Sequence, residues 1–181
     1  MKTIKHFSFA IVLALTTILS SCSSSDGDGG GGGFSGPATG SFVKAKAAGS
    51  NFLAEGSFAN GGLNSGNLVL QGTTTTGKSV QIQLYAIDGT LETGVYNANA
   101  TNNNDTHVAS LTYIDVNTST FTVTAYNSLN CDNATGTIEV TYAGTDKIEG
   151  TFSFVGKEVK EDESCNGGTK TVTNGSFRLE L

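Results

Sequence analysis

Apolar and polar residues alternate one by one along several segments of the chain, which is the pattern of a strand with one buried face. Four segments show it most clearly, at residues 79–86, 120–126, 137–142 and 148–154. Their apolar sets are Val80, Ile82, Leu84 and Ala86; Phe121, Val123 and Ala125; Ile138, Val140 and Tyr142; and Ile148, Phe152 and Phe154. We predict that each set faces the core of an antiparallel sheet.

The last two of these segments are predicted to form a hairpin, because the turn sequence Gly-Thr-Asp-Lys at residues 144–147 separates them. Further candidate strands lie at residues 41–48, 51–58, 67–72 and 107–115, and no convincing helical period accompanies them. About nine or ten short strands between Gly and Asn turns predict an all-β antiparallel fold without substantial helix. The pattern leaves a β-sandwich and a small β-barrel open as alternatives.

The final strand changes phase along its length. Val172 lies at an even position, Phe177, Leu179 and Leu181 lie at odd positions, and the pair Asn174-Gly175 stands between them. A β-bulge inserts one extra residue into a strand, so a bulge at this pair would return all of the apolar side chains to one face.

The amino-terminal residues have the pattern of a bacterial lipoprotein signal peptide. Lys2 and Lys5 precede an apolar run at residues 7–19, which is shorter than the roughly 20 residues of a spanning helix. Leu19-Ser20-Ser21-Cys22 then matches the lipobox, an aliphatic residue and two small residues before a cysteine. We expect cleavage after residue 21 and acylation of Cys22 by palmitate-like chains that bind the membrane. The alternative is a secretory peptide that leaves Cys22 as a free thiol.

Residues 22–39 are rich in Ser, Asp and Gly, and their composition predicts a flexible tether between the lipid and one all-β domain at residues 40–181. The stretch that contains Asp26 and Asp28 resembles the surface-export signal of Bacteroidota lipoproteins. We therefore expect a lipid anchor in the cell outer membrane. Display on the cell surface and retention on the inner leaflet of that membrane are the two alternatives.

The charge of the chain argues against nucleic acid as a partner. The whole chain has a formal net charge of −6, and Arg178 is its single arginine. Nucleic-acid binding depends on clustered basic residues that release counterions from phosphates. We therefore predict no nucleic-acid partner, and lipid on Cys22 is the one means of membrane attachment that the sequence suggests.

Two cysteines remain when Cys22 is assigned to lipid. Cys131 precedes the first strand of the predicted hairpin and Cys165 follows the second, so antiparallel pairing brings both to one end of the sheet. A disulfide between them is expected in an oxidising compartment, where it would contribute about 3–4 kcal/mol. Two free thiols or two metal ligands are the alternatives.

The sequence contains no constellation that predicts catalysis. It has no nucleophile elbow, no HExxH motif and no phosphate-binding loop, and His107 is the one histidine that remains after removal of residues 1–21. We therefore predict no enzymatic activity, no cofactor, no resident metal and no catalytic residue. Two carboxylates could serve a glycosidase, but nothing marks which two.

Two polar segments could bind a ligand. Residues 102–107, Asn-Asn-Asn-Asp-Thr-His, could hold calcium or a sugar, although they lack the spaced carboxylates of a dedicated calcium loop. An acidic run at Glu158, Glu161, Asp162 and Glu163 is expected to be a solvated loop. A zinc site that combines His107 with the two cysteines is a further alternative, at the expense of the disulfide.

Residues 72–84, 94–96, 136–140, 148–154 and 173–177 resemble a family of uncharacterised Bacteroidota lipoproteins. In that family a GTI strand, an I-x-GTFSF strand and a final NGSF strand follow one another, and the last two carry most of the specificity. The family has no established activity. The resemblance therefore implies an envelope location and a small all-β domain, and it implies no catalytic residue.

The function expected from these patterns is that of a non-catalytic, membrane-anchored β-domain of the cell envelope, which contacts something outside the cell. The alternative is a calycin-like barrel or a sandwich that binds a small ligand or a glycan. Aromatic residues would then line its pocket, although ordinary strand packing also explains them. The candidates are Phe52, Phe58, Tyr85, Tyr96, Tyr113, Tyr126 and Tyr142.

Overall fold

Antiparallel strands make up most of the computed structural model, which describes residues 34–100, 106–158, 160 and 164–181. The prediction of an all-β fold is confirmed, with eleven strands in the described part instead of nine or ten. Within the described residues, one 3-10 turn, Gly56–Phe58, interrupts the strands. The strands are β1 Phe42–Ala47, β2 Ser50–Glu55, β3 Ala59–Asn64, β4 Asn67–Thr73, β5 Ser79–Ala86, β6 Gly94–Asn97, β7 His107–Asn117, β8 Thr122–Asn127, β9 Thr135–Ala143, β10 Lys147–Glu158 and β11 Thr169–Glu180.

All eleven strands belong to one antiparallel sheet, which nearly closes into a barrel. The main path of the sheet is β2-β1-β11-β10-β8-β7-β5-β4-β3. Its two edges, β2 and β3, follow each other in the chain and are joined by the turn Gly56–Phe58, and β2 also lies beside β4. Of the two predicted architectures, the structure therefore has the barrel-like one.

Strand β10 pairs with three other strands on the other side of the barrel. One edge of β10 pairs with β11, while the other edge pairs first with β9 and then, at Lys157 and Glu158, with β8. Strand β6 extends the sheet beyond β9. The connection between β8 and β9 leaves the sheet between these two pairings, and it is this connection that contains Cys131.

The interior of the barrel is filled with apolar side chains from nearly every strand. Val80, Ile82 and Leu84 of β5 are fully buried, as are Leu68 and Leu70 of β4. Phenylalanine rings from β2, β10 and β11 and two tyrosine rings, Tyr113 of β7 and Tyr126 of β8, complete this core. Since a buried Leu, Ile or Val side chain stabilises a fold by about 1.5–3 kcal/mol, this filled interior is the main source of stability.

The predicted bulge in the last strand is confirmed. Between two consecutive pairings, β11 advances by three residues, from Gly175 to Val172, while its partner β10 advances by two. The pairing of β11 with β1 contains the same extra residue on β11. Asn174 occupies the extra position with a φ of +52°. As a result, Val172, Phe177 and Leu179 all face the core, whereas Leu181 lies beyond the strand and is half exposed.

The predicted hairpin of β9 and β10 is also present, with the Gly144 N–H donating to the Lys147 carbonyl at 3.0 Å. Ile138 and Val140 are buried as expected. The prediction is wrong for Tyr142, because a second bulge shifts the register between Val140 and Tyr142. This shift turns the Tyr142 ring outward, where its hydroxyl donates to Asp146 at 3.2 Å.

The predicted face of β8 is wrong. Val123 is 67% exposed and Phe121, just before the strand, is 89% exposed, whereas Tyr126 of the opposite set is buried. Tyr126 pairs with Tyr113 of β7, and their ring centroids lie 6.2 Å apart within the core. Tyr126 therefore faces inward, and the predicted apolar set of Phe121, Val123 and Ala125 faces the solvent.

Four strand connections meet at one end of the barrel, which we call the turn end. They are the turn of β1 and β2, the turn of β4 and β5, the turn of β7 and β8, and the loop between β10 and β11. The residues beside these connections pair with one another from strand to strand, which places the four connections at the same end of the sheet. The opposite end carries the last residues of β5, β9 and β11.

Candidate functional site

Residues 34–40, which the sequence assigned largely to the tether, lie against the outer face of β1 and β11. They cover Phe42, whose side chain points away from the barrel interior and yet is fully buried. Phe34 packs on this ring with 5.8 Å between the ring centroids. Gly36 lies so close to the same ring that a Cβ atom there would be 2.0 Å from Phe42 Cζ. Only a residue without a side chain fits this approach.

Arg178 joins this segment to the sheet. Its guanidinium carbon lies 5.5 Å from the ring centroids of both Phe34 and Phe42, a geometry in which the positive charge is attracted to the ring faces. Its Nη1 donates to the Pro37 carbonyl at 3.0 Å. Arg178 is only 7% exposed. The arginine therefore holds the segment by packing, by charge and by a hydrogen bond.

Glu149 on β10 neutralises the buried guanidinium. Its Oε1 accepts a hydrogen bond from Arg178 Nε at 2.6 Å and another from Lys147 Nζ at 3.1 Å. Burial by itself would raise the pKa of Glu149, but the hydrogen bonds from Arg178 and Lys147 outweigh it, and the pKa is lowered. The carboxylate is therefore ionised in the folded protein at neutral pH.

Three hydrogen bonds between side chains and the backbone attach the rest of the segment to β11. The Ser176 hydroxyl donates to the Ser35 carbonyl, and the Gly40 N–H donates to Glu180 Oε1 at 2.7 Å. The Glu180 N–H in turn donates to Ser41 Oγ at 2.9 Å. We call residues 34–40, together with Phe42, Glu149 and Arg178, the amino-terminal clamp.

The predicted disulfide between Cys131 and Cys165 is confirmed, and it rules out two free thiols. It joins the connection between β8 and β9 to the loop between β10 and β11, close to the point where β8 meets β10. Because both sulfurs are used, the alternative of a zinc site that combines the cysteines with His107 is contradicted. Cys22, the predicted lipid attachment site, lies outside the described residues.

His107 begins β7 and takes part in ring packing. Its imidazole lies 4.9 Å from the Tyr96 ring, and its Nδ1 is 2.9 Å from Thr106 Oγ1. The rest of the predicted polar segment, residues 102–105, lies outside the described residues. Within the part of the chain that the structure describes, no group of three or more metal-ligating side chains comes together.

The acidic run is described only at Glu158. Its carboxylate accepts hydrogen bonds from Lys160 and, at 2.9 Å, from the Gly168 N–H. The hydrogen bond from Lys160, followed by that from Gly168, lowers the pKa of Glu158. Glu161, Asp162 and Glu163 lie outside the described residues.

The aromatic residues proposed as pocket liners do not converge. Phe52 and Tyr113 are in the core, and burial raises the pKa of Tyr113 to about 12. Phe58, Tyr85 and Tyr142 are exposed. These five rings therefore behave as ordinary packing or surface residues. Tyr126 is also buried, and the Tyr96 hydroxyl donates to the Glu92 carbonyl at 2.7 Å.

In the described part of the chain, shallow grooves lie on the outer face of the sheet. One of about 360 Å³ is lined by hydroxyl and amide groups of β9, β10 and β11 and by the single carboxylate of Glu139. Another of about 440 Å³ crosses β3, β4 and β5 beside Phe58, and a third of about 550 Å³ lies near the turn of β1 and β2. One carboxylate in a polar groove can accept hydrogen bonds from a ligand, but it does not provide the paired acids of a glycosidase.

These features define a small antiparallel β-domain with a filled interior, one disulfide and a clamped amino-terminal segment. Comparison of the chain with protein-family models, with curated proteins and with solved structures found no match. In the described residues, no helical segment is long and apolar enough to span a membrane.

Proposed function

We propose that this chain is a lipid-anchored domain of the bacterial cell envelope, acylated at Cys22 and held at the outer membrane. The observation that carries the proposal is Leu19-Ser20-Ser21-Cys22, placed directly after a basic segment and an apolar run. Two or more acyl chains on one residue suffice for stable attachment, because each buried methylene contributes about 0.8 kcal/mol.

Two structural features support this function. The disulfide between Cys131 and Cys165 is the kind of bond that persists outside the cytoplasm. The amino-terminal clamp holds the start of the domain at several points, with Arg178 at its centre. A force transmitted along residues 22–33 from a membrane anchor would therefore act on a buried, hydrogen-bonded attachment.

The packing favours a display domain over a carrier of small ligands. The space that would hold a ligand inside a calycin-like barrel is occupied by core side chains such as Leu68, Ile82 and Leu111. A glycan or protein partner would then bind on the outer surface. We propose that the domain acts by presenting this surface, without catalysis.

Metabolic labelling tests the anchor. The full chain would be expressed in a Bacteroidota host that is fed a palmitate analogue with a chemical tag, and cell fractions would then be separated. We expect label on the wild-type protein in the outer-membrane fraction, and neither label nor membrane association for Cys22→Ala. A matched control replaces both Cys131 and Cys165 by alanine and should keep the label. Equal labelling of Cys22→Ala and the wild type would refute lipidation at this residue.

A protease test separates the two locations. Intact cells would be treated with a protease that does not cross the outer membrane. Degradation of the domain in intact cells is expected if Asp26 and Asp28 act as part of an export signal, and Asp26→Ala/Asp28→Ala should then become protected. Protection of the wild-type protein would place the domain on the inner leaflet.

A further inference from the structure

The outer face formed by the described strands β3, β4, β5, β7 and β8 carries no charged side chain. In these strands, core residues such as Leu70, Ile82 and Leu111 alternate with residues that point outward, and each outward residue is uncharged. Asp115 is the single Asp, Glu, Lys or Arg of the five strands, and it lies on the inner side at the rim, 3.9 Å from Lys170. Free protein surfaces are usually rich in charge, whereas the centres of interfaces are not, so this face has the composition of a binding surface.

Side-chain amides form a row across this face. In the strand register, Asn60 of β3 lies opposite Gln71 of β4, and Gln71 lies opposite Gln81 of β5. The row continues through Thr112 of β7 to Asn127 of β8. We call these five residues the amide row. Because neighbouring strands lie about 4.8 Å apart, the row is about 19 Å long, which is enough to seat several sugar units.

A groove of about 440 Å³ lies over the first half of the amide row. Asn60, Gln71 and Gln81 line it, and the ring of Phe58 borders it. Phe58 is 48% exposed and belongs to the 3-10 turn between β2 and β3. Asn60 holds this turn, because its Nδ2 donates to the Ser57 carbonyl at 2.6 Å. The aromatic ring therefore has a fixed place beside the amides.

The amides in the groove keep unused hydrogen-bonding capacity. A carboxamide can donate two hydrogen bonds and accept two. Gln71 uses its Nε2 to donate to Thr73 Oγ1 at 3.2 Å, and Asn60 uses its Nδ2 within the turn. The Gln81 side chain makes no hydrogen bond to another residue that the structure describes. A molecule in the groove would therefore be offered donors and acceptors side by side, without charge.

A neutral sugar chain has the complementary chemistry. Its hydroxyls both donate and accept hydrogen bonds, and the apolar face of a sugar ring can pack on an aromatic ring such as Phe58. An acidic ligand would find no Lys or Arg in the amide row to neutralise it. An extended peptide that adds to a sheet pairs with the edge of a strand and does not need the face. The volume of the groove lies within the range of about 300–1,000 Å³ that is typical of sites for small ligands.

We propose that the amide row binds a neutral oligosaccharide. A sugar ring packs against Phe58 in the groove, and its hydroxyls form hydrogen bonds with Asn60, Gln71 and Gln81. The inference rests on the proposed function, because it names the class of partner that the displayed outer surface would meet.

A carbohydrate array tests the site with the full mature chain, acylated and kept in a detergent without a sugar headgroup. The array would carry neutral oligosaccharides of glucose, mannose, galactose and xylose, together with oligosaccharides that contain uronic acids. We expect the wild type to bind at least one neutral class and none of the uronates. The variant Gln71→Ala/Gln81→Ala should bind about tenfold more weakly, because two hydrogen-bonding side chains are lost from the groove.

Substitutions of Phe58 test the aromatic contact. Phe58→Ala should also weaken binding, whereas Phe58→Trp keeps an aromatic face and should bind at least as tightly as the wild type. Because the chain contains no tryptophan, the emission of Phe58→Trp should shift when the bound oligosaccharide is added. The matched control is Phe121→Ala, which removes a ring that is 89% exposed but lies outside the amide row, and it should bind like the wild type.

The results that would overturn the inference are distinct from those that concern the anchor. Binding to none of the neutral oligosaccharides, or equal binding by the wild type and Gln71→Ala/Gln81→Ala, would refute the sugar site. A dimer that forms without glycan and that this double substitution separates would show a protein interface instead. Acylation of Cys22 would be measured on the same sample. An acylated chain that binds no glycan removes the sugar site alone, whereas glycan binding by a chain without lipid removes the anchoring proposal alone.

Discussion

The β9–β10 hairpin and strand β8 contain the same alternation of apolar and polar residues, but the hairpin buries its apolar set and β8 buries the opposite set. In β9 and β10, the predicted apolar residues Ile138 and Phe154 are inside the barrel. In β8, the predicted apolar residues Val123 and Ala125 face the solvent, and Tyr126 lies inside. The difference shows that a period of two identifies a strand. Which face of the strand is buried depends on the side chains of both faces.

In β8, the size of the side chains and the contact with β7 determine which face is buried. Tyr126 has a larger ring to bury than Val123 or Ala125, and it meets Tyr113 of β7 across the strand pair. Aromatic cross-strand pairs contribute about 0.2–1 kcal/mol beyond an alanine pair. The other two residues on the Tyr126 side of β8 are Thr124, which is half-buried, and Thr122, which is exposed.

The largest expected effect is in the β9–β10 hairpin. Phe154→Ala should lower the free energy of unfolding by about 3–5 kcal/mol, because it removes a buried ring and leaves a cavity. Val123→Ala in β8 should change it by less than about 0.5 kcal/mol, since Val123 is exposed. Urea unfolding followed by circular dichroism would measure both. Similar losses for the two variants would mean that β8 buries its apolar set after all.

The disulfide should have the next largest effect, because it fixes the point at which β8 leaves β10. Replacing Cys131 and Cys165 by serine opens a cross-link with a sequence separation of 34 residues, which should lower the free energy of unfolding by about 3–4 kcal/mol. Thermal unfolding before and after reduction of the wild type provides an independent check. A wild-type midpoint that does not respond to reduction would contradict a stabilising role.

The amino-terminal clamp should give an intermediate effect. Arg178→Met removes the hydrogen bonds to Glu149 and Pro37 and leaves a poorly solvated carboxylate, so we expect a loss of about 1.5–3 kcal/mol. The matched control Lys44→Met, at an exposed residue on the same outer face, should stay within about 0.5 kcal/mol. Differential scanning calorimetry would compare them. Equal stability of the two variants would show that the clamp contributes little.

The smallest expected effect is a dependence on pH through Glu149. Its pKa in the folded state lies below its ordinary value of 4.5, so its contribution is complete above that value and is lost as the pH falls through the lowered pKa. In the Glu149→Gln variant, the free energy of unfolding should therefore fall less steeply below pH 4.5 than in the wild type. Unfolding midpoints measured from neutral pH into acid would test this, and an unchanged slope would exclude Glu149 as the group responsible.

The sequence predicts the class of the fold and much of its detail, because these features depend on residues that lie close together in the chain or beside one hairpin. The bulge at Asn174 follows from a change of phase, and the disulfide follows from the positions of Cys131 and Cys165 beside one hairpin. Strand β3 was not predicted because its glycines hide the pattern. Gly61 is needed there, since a Cβ atom would lie 2.2 Å from the Val69 carbonyl oxygen of β4.

The clamp could not be predicted because it depends on contacts between distant parts of the chain. Pro37 and Arg178 are separated by 141 residues, and no alternation marks residues 34–40 as a packed segment. The one available signal is that the single arginine of the chain occupies the final strand. A planar, permanently charged group is favoured where several acceptors and rings must be joined in a buried place.

The most direct test of the account is the mass of the amino-terminal peptide of the mature protein, extracted from the outer membrane with detergent and cleaved by a protease. We predict a peptide that begins at Cys22 and carries the added mass of two or three acyl chains. A peptide that begins at another residue, or an unmodified Cys22, would contradict the account of a lipid-anchored envelope domain.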